Sequence, residues 1–211
     1  MPKALLQIFL LLTLAFFSYV QAQELPIALK TESYGVPEGL SQSTITSVVE
    51  DTDGYIWIGT LNGLNRFDGE EFKHFFTNDR SGLSSSFIQS LLFDNGKLFV
   101  GTDNGLNIYN SDLETFEKYP EINEAIWSIN DNNDFYTIST KDTLIEIDKK
   151  SLKIEKQYKN DTFNFVKKAI KTSDGYIVRN HDGKIFFTDK KTNQKFYLKT
   201  PLTLKYLRLE Y

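Results

Sequence analysis

Residues 39–76 and 82–119 repeat one another in a single register, and this repeat constrains the fold more than any other feature. Gly39-Leu40-Ser41 matches Gly82-Leu83-Ser84, and Gly59-Thr60 matches Gly101-Thr102. Asn62-Gly63-Leu64-Asn65 matches Asn104-Gly105-Leu106-Asn107, with an offset of 42 or 43 throughout. Two weaker copies follow. Residues 125–158 keep Ser139-Thr140 where Gly-Thr stood, followed by Leu144-Ile145-Glu146-Ile147-Asp148. Residues 165–198 restore Asp174-Gly175-Tyr176-Ile177, which echoes Asp53-Gly54-Tyr55-Ile56 three periods earlier. A fixed period near 40 residues is the mark of an array in which each unit buries its faces against its neighbours.

Each unit resolves into four short strands. In the first these are Thr44–Glu50, Tyr55–Thr60, Leu64–Asp68 and Glu71–Phe76. Asp53-Gly54, Asn62-Gly63 and Asp68-Gly69 separate them, and Asn95-Gly96 and Asn104-Gly105 do the same in the second unit. Such dipeptides signal tight hairpins because both residues tolerate positive φ. An aromatic share of 14%, with 17 Phe and 11 Tyr, also favours strands. No long segment has the 3.6-residue periodicity that a helical array needs. The chain is therefore expected to be all-β, a β-propeller of four-stranded antiparallel blades with about four present as a partial ring. The blades are placed at about residues 35–76, 77–119, 120–158 and 159–198, with the start of a fifth at 199–211.

The N-terminus reads as an export signal. Met1-Pro2-Lys3 gives a positive start, Ala4 to Val20 is apolar, and Val20-Gln21-Ala22 has the small residues of a cleavage site. Residues 1–22 are thus expected to be a cleaved signal peptide, leaving a periplasmic chain of residues 23–211 with no membrane span. Their removal takes away Lys3 and no acid, moving the net charge from −4 to −5. An acidic pI of about 5.3 argues against nucleic acid as a partner. The absence of cysteine excludes disulfides and thiol chemistry, and the two histidines, His74 and His181, leave little for metal or acid–base work.

Gly39-Leu40-Ser41, Asp51-Thr52-Asp53-Gly54-Tyr55-Ile56-Trp57-Ile58-Gly59-Thr60 and Asn62-Gly63-Leu64-Asn65-Arg66-Phe67-Asp68-Gly69 closely resemble the two-component regulator propeller repeat. The first unit is near the consensus and the second is a good match, whereas units three and four have lost the Trp and the Gly-Thr-x-x-Gly-Leu core. The resemblance covers about residues 35–198. It implies the periplasmic sensor region of a hybrid histidine kinase of the Bacteroidetes type. Such sensors have about seven blades, often in two tandem propellers, and bind a glycan breakdown product. No kinase domain follows in this chain, which therefore reads as a truncated receptor.

Individual residues mostly invite structural readings. Asp51-x-Asp53-Gly54 resembles the start of a calcium loop, but Asn62 stands where the loop's Glu belongs and the glycine comes too early. A hairpin turn is expected instead. Trp57 and Trp127 are expected in blade packing rather than sugar stacking. Gly59 and Gly101 are expected to permit close backbone approach. His74 and His181 are expected in solvated or turn positions. The pairs Lys149-Lys150 and Lys190-Lys191 are expected as solvated charge in turns. Asn160-Asp161-Thr162 is formally a glycosylation sequon.

The expected function is therefore non-enzymatic ligand sensing, with the ligand at one mouth of the ring on loops between strands. No catalytic, cofactor-binding or metal-binding residue is expected, and no cofactor. Ligand-binding residues are not assignable from spacing. The implied partners are an oligosaccharide and a histidine kinase or another envelope protein, with self-association through uncovered blade faces. The competing readings are an exported scaffold for protein–protein interaction and a propeller polysaccharide lyase or hydrolase. The last needs an acid–base cluster that two histidines and short loops do not offer.

Overall fold

Strands form here because short runs rich in β-branched and aromatic residues are cut at regular intervals by Asn-Gly and Asp-Gly turns. The computed structural model describes residues 31–159, 166–180 and 182–189, and the backbone of Lys195–Tyr197. The expected signal peptide, Asn160, His181, Lys190-Lys191 and residues 199–211 lie outside the described residues. The compact unit beginning at Tyr34 holds four antiparallel sheets of four strands, each ordered as in sequence. Blade one is β1 (Ile45–Glu50), β2 (Ile56–Thr60), β3 (Gly63–Phe67) and β4 (Phe72–Phe75). Blade two is β5 (Ile88–Asp94), β6 (Lys97–Thr102), β7 (Gly105–Asn110) and β8 (Thr115–Lys118). Blade three is β9 (Ser128–Asn132), β10 (Phe135–Ser139), β11 (Thr143–Asp148) and β12 (Ile154–Lys159). Blade four is β13 (Val166–Lys171), β14 (Gly175–Asn180), β15 (Ile185–Asp189) and β16 (Lys195–Tyr197). The result is a four-bladed β-propeller architecture, and the main contacts between blades join sequence neighbours.

The turns differ in detail from the simple hairpin expectation. At Asn95-Gly96 both residues take positive φ, 50° and 71°, as a two-residue turn requires. At Asp53-Gly54 only the glycine does, at 85°. There the Asp51 carboxylate organises a longer turn, its Oδ1 accepting the N–H groups of Asp53 and Tyr55 at 3.0 Å each. An Asx interaction of this kind replaces the second left-handed residue.

Repeated motif residues close a polar clasp within each of the first two blades. In blade one the Ser41 N–H donates to Asn65 Oδ1 (2.9 Å), and Asn65 Nδ2 donates to the Ile58 carbonyl (3.0 Å). Thr60 Oγ1 donates to the Gly63 carbonyl (2.8 Å), accepts from the Asn62 N–H (3.1 Å) and meets Ser41 Oγ (3.1 Å). Blade two repeats this with Ser84, Asn107, Thr102, Gly105 and Asn104. The Gly-Leu-Ser, Gly-Thr and Asn-Gly-Leu-Asn strings thus supply one buried network whose members satisfy each other, as burial of polar groups demands.

The first two joints between blades share one construction. The innermost strand of each later blade carries two apolar residues three apart, Ile88 and Leu91 in blade two and Ile126 and Ile129 around the start of blade three, all buried. Ile88 sits over Gly59 and Ile126 over Gly101; a Cβ on either glycine would lie 2.6 Å from the facing isoleucine Cγ2. The glycines are required by this approach, in agreement with the sequence reading. A serine hydroxyl of the preceding blade accepts the edge N–H that the next blade leaves without a strand partner, Ser47 from Leu91 and Ser90 from Ile129, both at 3.1 Å. Outside this centre, Trp57 and Phe75 of blade one pack on Tyr109 and Phe116 of blade two, with ring centroids 4.8 to 6.0 Å apart.

The third joint keeps the positions and changes the chemistry. Val166 and Ala169 are the buried pair, but Ser139 stands where Gly59 and Gly101 stood. Ser139 and Ser128 both donate to the Val166 carbonyl, at 2.7 and 3.0 Å. Asn132 donates to the Ala169 carbonyl (3.0 Å) and accepts from the Lys171 N–H (2.9 Å). Side chains of blade three therefore bind the open edge of β13 as a neighbouring strand would.

Gly59→Ala forces Ile88 out of its seat, and overpacking of this kind costs about 1–3 kcal/mol. Combined with Ile88→Ala, the loss is expected to be smaller than the sum of the single losses, because both changes act at one contact. Denaturant titration of the four proteins in the cycle measures this.

Candidate binding surface

The turns joining first to second and third to fourth strands share one rim, so residues of neighbouring blades converge there. Between blades two and three this rim holds a groove of about 690 Å³ lined by Asn95, Asn133, Asp134, Asp148, Lys149 and Lys150. A smaller groove of about 240 Å³ continues toward blade four, sharing Asn133 and Asp134 and adding Phe135 and Lys171. Asn133 takes a left-handed φ of 49° at the tip shared by the two grooves. The opposite rim has a groove of about 260 Å³ beside Glu121, Asn123, Thr140 and Gln157. The groove between blades two and three offers amide, carboxylate and ammonium groups, a lining suited to a hydroxyl-rich polar ligand.

Lys149 departs from the solvated position expected of it. Its side chain is only 14% exposed and bridges two blades, reaching Asp94 Oδ2 at 3.1 Å and Asp131 Oδ1 at 2.5 Å. Its ammonium lies 5.1 Å from the Tyr136 ring centre, and Tyr136 Oη donates to Asp94 Oδ2 at 2.8 Å. Lys150 is exposed, as expected of a turn lysine. Burial pushes Asp94 upward, but hydrogen bonds from Tyr136 and Lys149, with the charge of Lys149, hold it below its ordinary 3.8. Burial likewise pulls Lys149 down, and its two carboxylates overcome that and raise it above 10.5. Burial, then Asp94, pushes Tyr136 up to about 12.

A second charged group escaped the sequence reading altogether. Glu146 on β11 is 1% exposed, and its Oε1 accepts from Lys171 Nζ at 2.9 Å and from the Tyr176 hydroxyl. Lys171 also stands 3.9 Å from the Phe135 ring centre. Burial, followed by the nearby Glu146 charge, raises Tyr158 above its ordinary value. Glu146 and Lys171 thus tie blade three to blade four beneath the smaller groove.

The remaining candidates are placed as follows. Asp51 is committed to its turn, since its Oδ2 also accepts from Trp57 Nε1 at 2.7 Å. Trp57 is buried, with its ring 5.6 Å from that of Phe75. Trp127 precedes β9 rather than lying in a strand; it is half-buried, with Lys167 Nζ 5.7 Å from its ring. His74 is exposed on β4, its Nε2 2.6 Å from the Gly39 carbonyl. Among the described residues no group of three or more His, Asp or Glu is placed to hold a metal ion, and no helix is long and apolar enough to cross a membrane.

The Lys149 bridge predicts a pH dependence with a definite sign. Asp94 is depressed when folded, so its contribution is present above pH 3.8 and is lost as pH falls through the folded value. Lys149 and Tyr136 are raised, so their contributions hold below 10.5 and 10.0 and are lost as pH rises past those values. Lys149→Ala is expected to cost about 1–2 kcal/mol after allowance for solvent access, while Lys150→Ala stays within about 0.5 kcal/mol. Lys149→Ala also flattens the alkaline limb of a melting-temperature profile against pH.

Comparison with known proteins follows the same residues. Residues 39–62, which contain the first clasp serine, the Asp51 turn and the Gly59 seat, match the family model described as two component regulator propeller. A histidine kinase of Formosa agariphila is 36% identical over 77 residues, covering 33% of this chain and 6% of that protein. The extracellular domain assigned to a hybrid two component system of B. thetaiotaomicron superposes with a TM-score of 0.57 at 19% identity, covering 78% of this chain and 23% of that one. A computationally designed protein matches with a TM-score of 0.52 at 13% identity, over 76% of this chain and 94% of its own. At these identities the structural matches establish the fold alone. The chain is a β-propeller whose residues 39–62 match the two component regulator propeller model.

Proposed function

We propose that the chain is an exported, non-catalytic sensor propeller of a two-component system, which binds a glycan-derived ligand and communicates with a histidine kinase. The observation that carries this reading is the repeat at residues 39–62, joined by sequence similarity to a histidine kinase. The chain spans only 6% of that relative, so the kinase partnership belongs to the proposal. Export rests on the signal-like residues 1–22 and accords with the extracellular origin of the structural neighbour.

The groove between blades two and three is the proposed ligand site. Asn95, Asn133 and Asp134 offer hydrogen-bond partners to hydroxyl groups, and Lys150 adds a charge not drawn into the Lys149 bridge. A ligand lying there touches turns from both blades. Binding therefore acts on the angle between them, which Lys149 otherwise fixes through Asp94 and Asp131. That angular change is the signal passed onward.

Calorimetric titration of the exported chain with a panel of purified oligosaccharides tests this. Saturable binding without release of new reducing ends is expected. Asn133→Ala and Lys150→Ala are each expected to weaken binding by about tenfold, equivalent to roughly 1.4 kcal/mol. Product release, or binding indifferent to both substitutions, overturns the respective parts of the proposal.

A further inference from the structure

Blade three has lost the polar clasp that closes blades one and two. Its register pairs Ser139 with Leu144, as Gly59 pairs with Leu64 and Gly101 with Leu106, so Thr140 stands where Thr60 and Thr102 stand. Thr60 and Thr102 each donate to a glycine carbonyl, accept an asparagine N–H and meet a serine hydroxyl. In blade three Ile145 pairs with Ile138 where Asn65 pairs with Ile58, so an aliphatic side chain replaces the clasp amide. The connecting segment that brings Ser41 and Ser84 to the earlier blades runs Glu121-Ile122-Asn123-Glu124 here and has no serine. Thr140 is 1% exposed, and its hydroxyl has no hydrogen-bond partner among the described residues.

The residues at the clasp positions line the groove of about 260 Å³ on the rim opposite the other two grooves. Glu121 and Glu124 are exposed beside it, and no Lys or Arg is among its lining residues. Asn123 holds its Nδ2 on the Pro120 carbonyl at 3.0 Å, which leaves Oδ1 to accept, and Gln157 of β12 adds a second amide. Two carboxylates without a cation favour a positively charged occupant. Among the described residues no third acid or histidine joins them in a metal-binding group, so the charge they suit is an organic ammonium. The volume lies below the roughly 300–1,000 Å³ of drug-sized ligand sites, which limits the occupant to a small molecule. Thr140 separates this groove from an ordinary acidic surface: a buried hydroxyl without a partner costs free energy, and a ligand that supplies one removes that cost.

We propose that the emptied clasp of blade three is a second binding site, which takes a small hydroxylated amine of the size of one amino-sugar ring. The ammonium group meets Glu121 and Glu124, and a hydroxyl group takes the place of the missing clasp partners at Thr140 Oγ1. The site lies within blade three and its own connecting segment, so it does not depend on any blade beyond the fourth. It is also separate from the groove between blades two and three, and rests on neither export nor a kinase partner.

Calorimetric titration of the full chain with glucosamine at about pH 6, where carboxylates are ionised and the amine is protonated, tests the site. Saturable binding is expected, at an affinity about tenfold or more above that for glucose, which has the same ring and no charge. Glu124→Gln and Thr140→Val are each expected to weaken glucosamine binding by about tenfold, while Glu70→Gln, the same charge change in an exposed turn of blade one, leaves it unaltered. Melting of the free chain gives a second readout. Thr102→Val breaks a filled clasp and is expected to lower the melting temperature by about 2–4 °C, whereas Thr140→Val breaks no hydrogen bond and is expected to leave it within about 1 °C. A loss at Thr140 as large as that at Thr102 shows a hydroxyl already paired and overturns the proposal. Equal binding of glucose, no saturable binding, or binding indifferent to either site substitution overturns it as well.

Discussion

An apolar side chain set onto a glycine of the preceding blade is the contact on which the molecule depends. Strand pairing organises each blade internally, but it leaves both faces of every sheet in need of cover and the innermost edge with unpaired N–H groups. The Ile88–Gly59 and Ile126–Gly101 seats bring the backbones close enough for Ser47 and Ser90 to reach those N–H groups. One close approach therefore satisfies two requirements, apolar burial and edge saturation.

Polar groups then fix how each blade is set. The clasp of Ser41, Thr60 and Asn65 holds the connecting segment against the strands, and Asp51 joins a turn to the ring of Trp57. Toward blade four, polar contacts assume more of the joint itself, through Ser128, Ser139, Asn132 and Glu146, while Lys149 ties blade three back to blade two. The two grooves of one rim lie over these charged ties. Their polar lining and the stiffness of the joints beneath them have a common origin.

The repeat made most of the fold legible. Strand positions, turn glycines and the close approach at Gly59 and Gly101 follow from motif strings whose partners lie within one unit or in the same place in the next. Lys149, Glu146 and Ser139 were not legible, because each has a partner in another blade. Glu146 sits between Ile145 and Ile147, where alternation places it on the opposite side of the sheet, and in a half-buried sheet that side faces water. In a propeller blade both faces meet neighbours, so the usual inside–outside reading fails. Ser139 read as decay of the Gly-Thr motif, yet its hydroxyl replaces the glycine seat with a hydrogen bond to Val166. A buried acid with a lysine and a tyrosine one blade further on is the pattern that could have signalled the Glu146 tie.

The exchange at Ser139 also changes what kind of constraint a joint imposes. A glycine seat restricts how near two sheets stand but says little about their rotation, since van der Waals contact has no preferred direction. A pair of hydroxyls on one carbonyl fixes an orientation as well as a distance. At joints one and two orientation is therefore left to the single serine contacts of Ser47 and Ser90 and, at joint two, to the Lys149 bridge. Joint three is keyed as well as spaced, because two directional hydrogen bonds meet on one carbonyl at its centre.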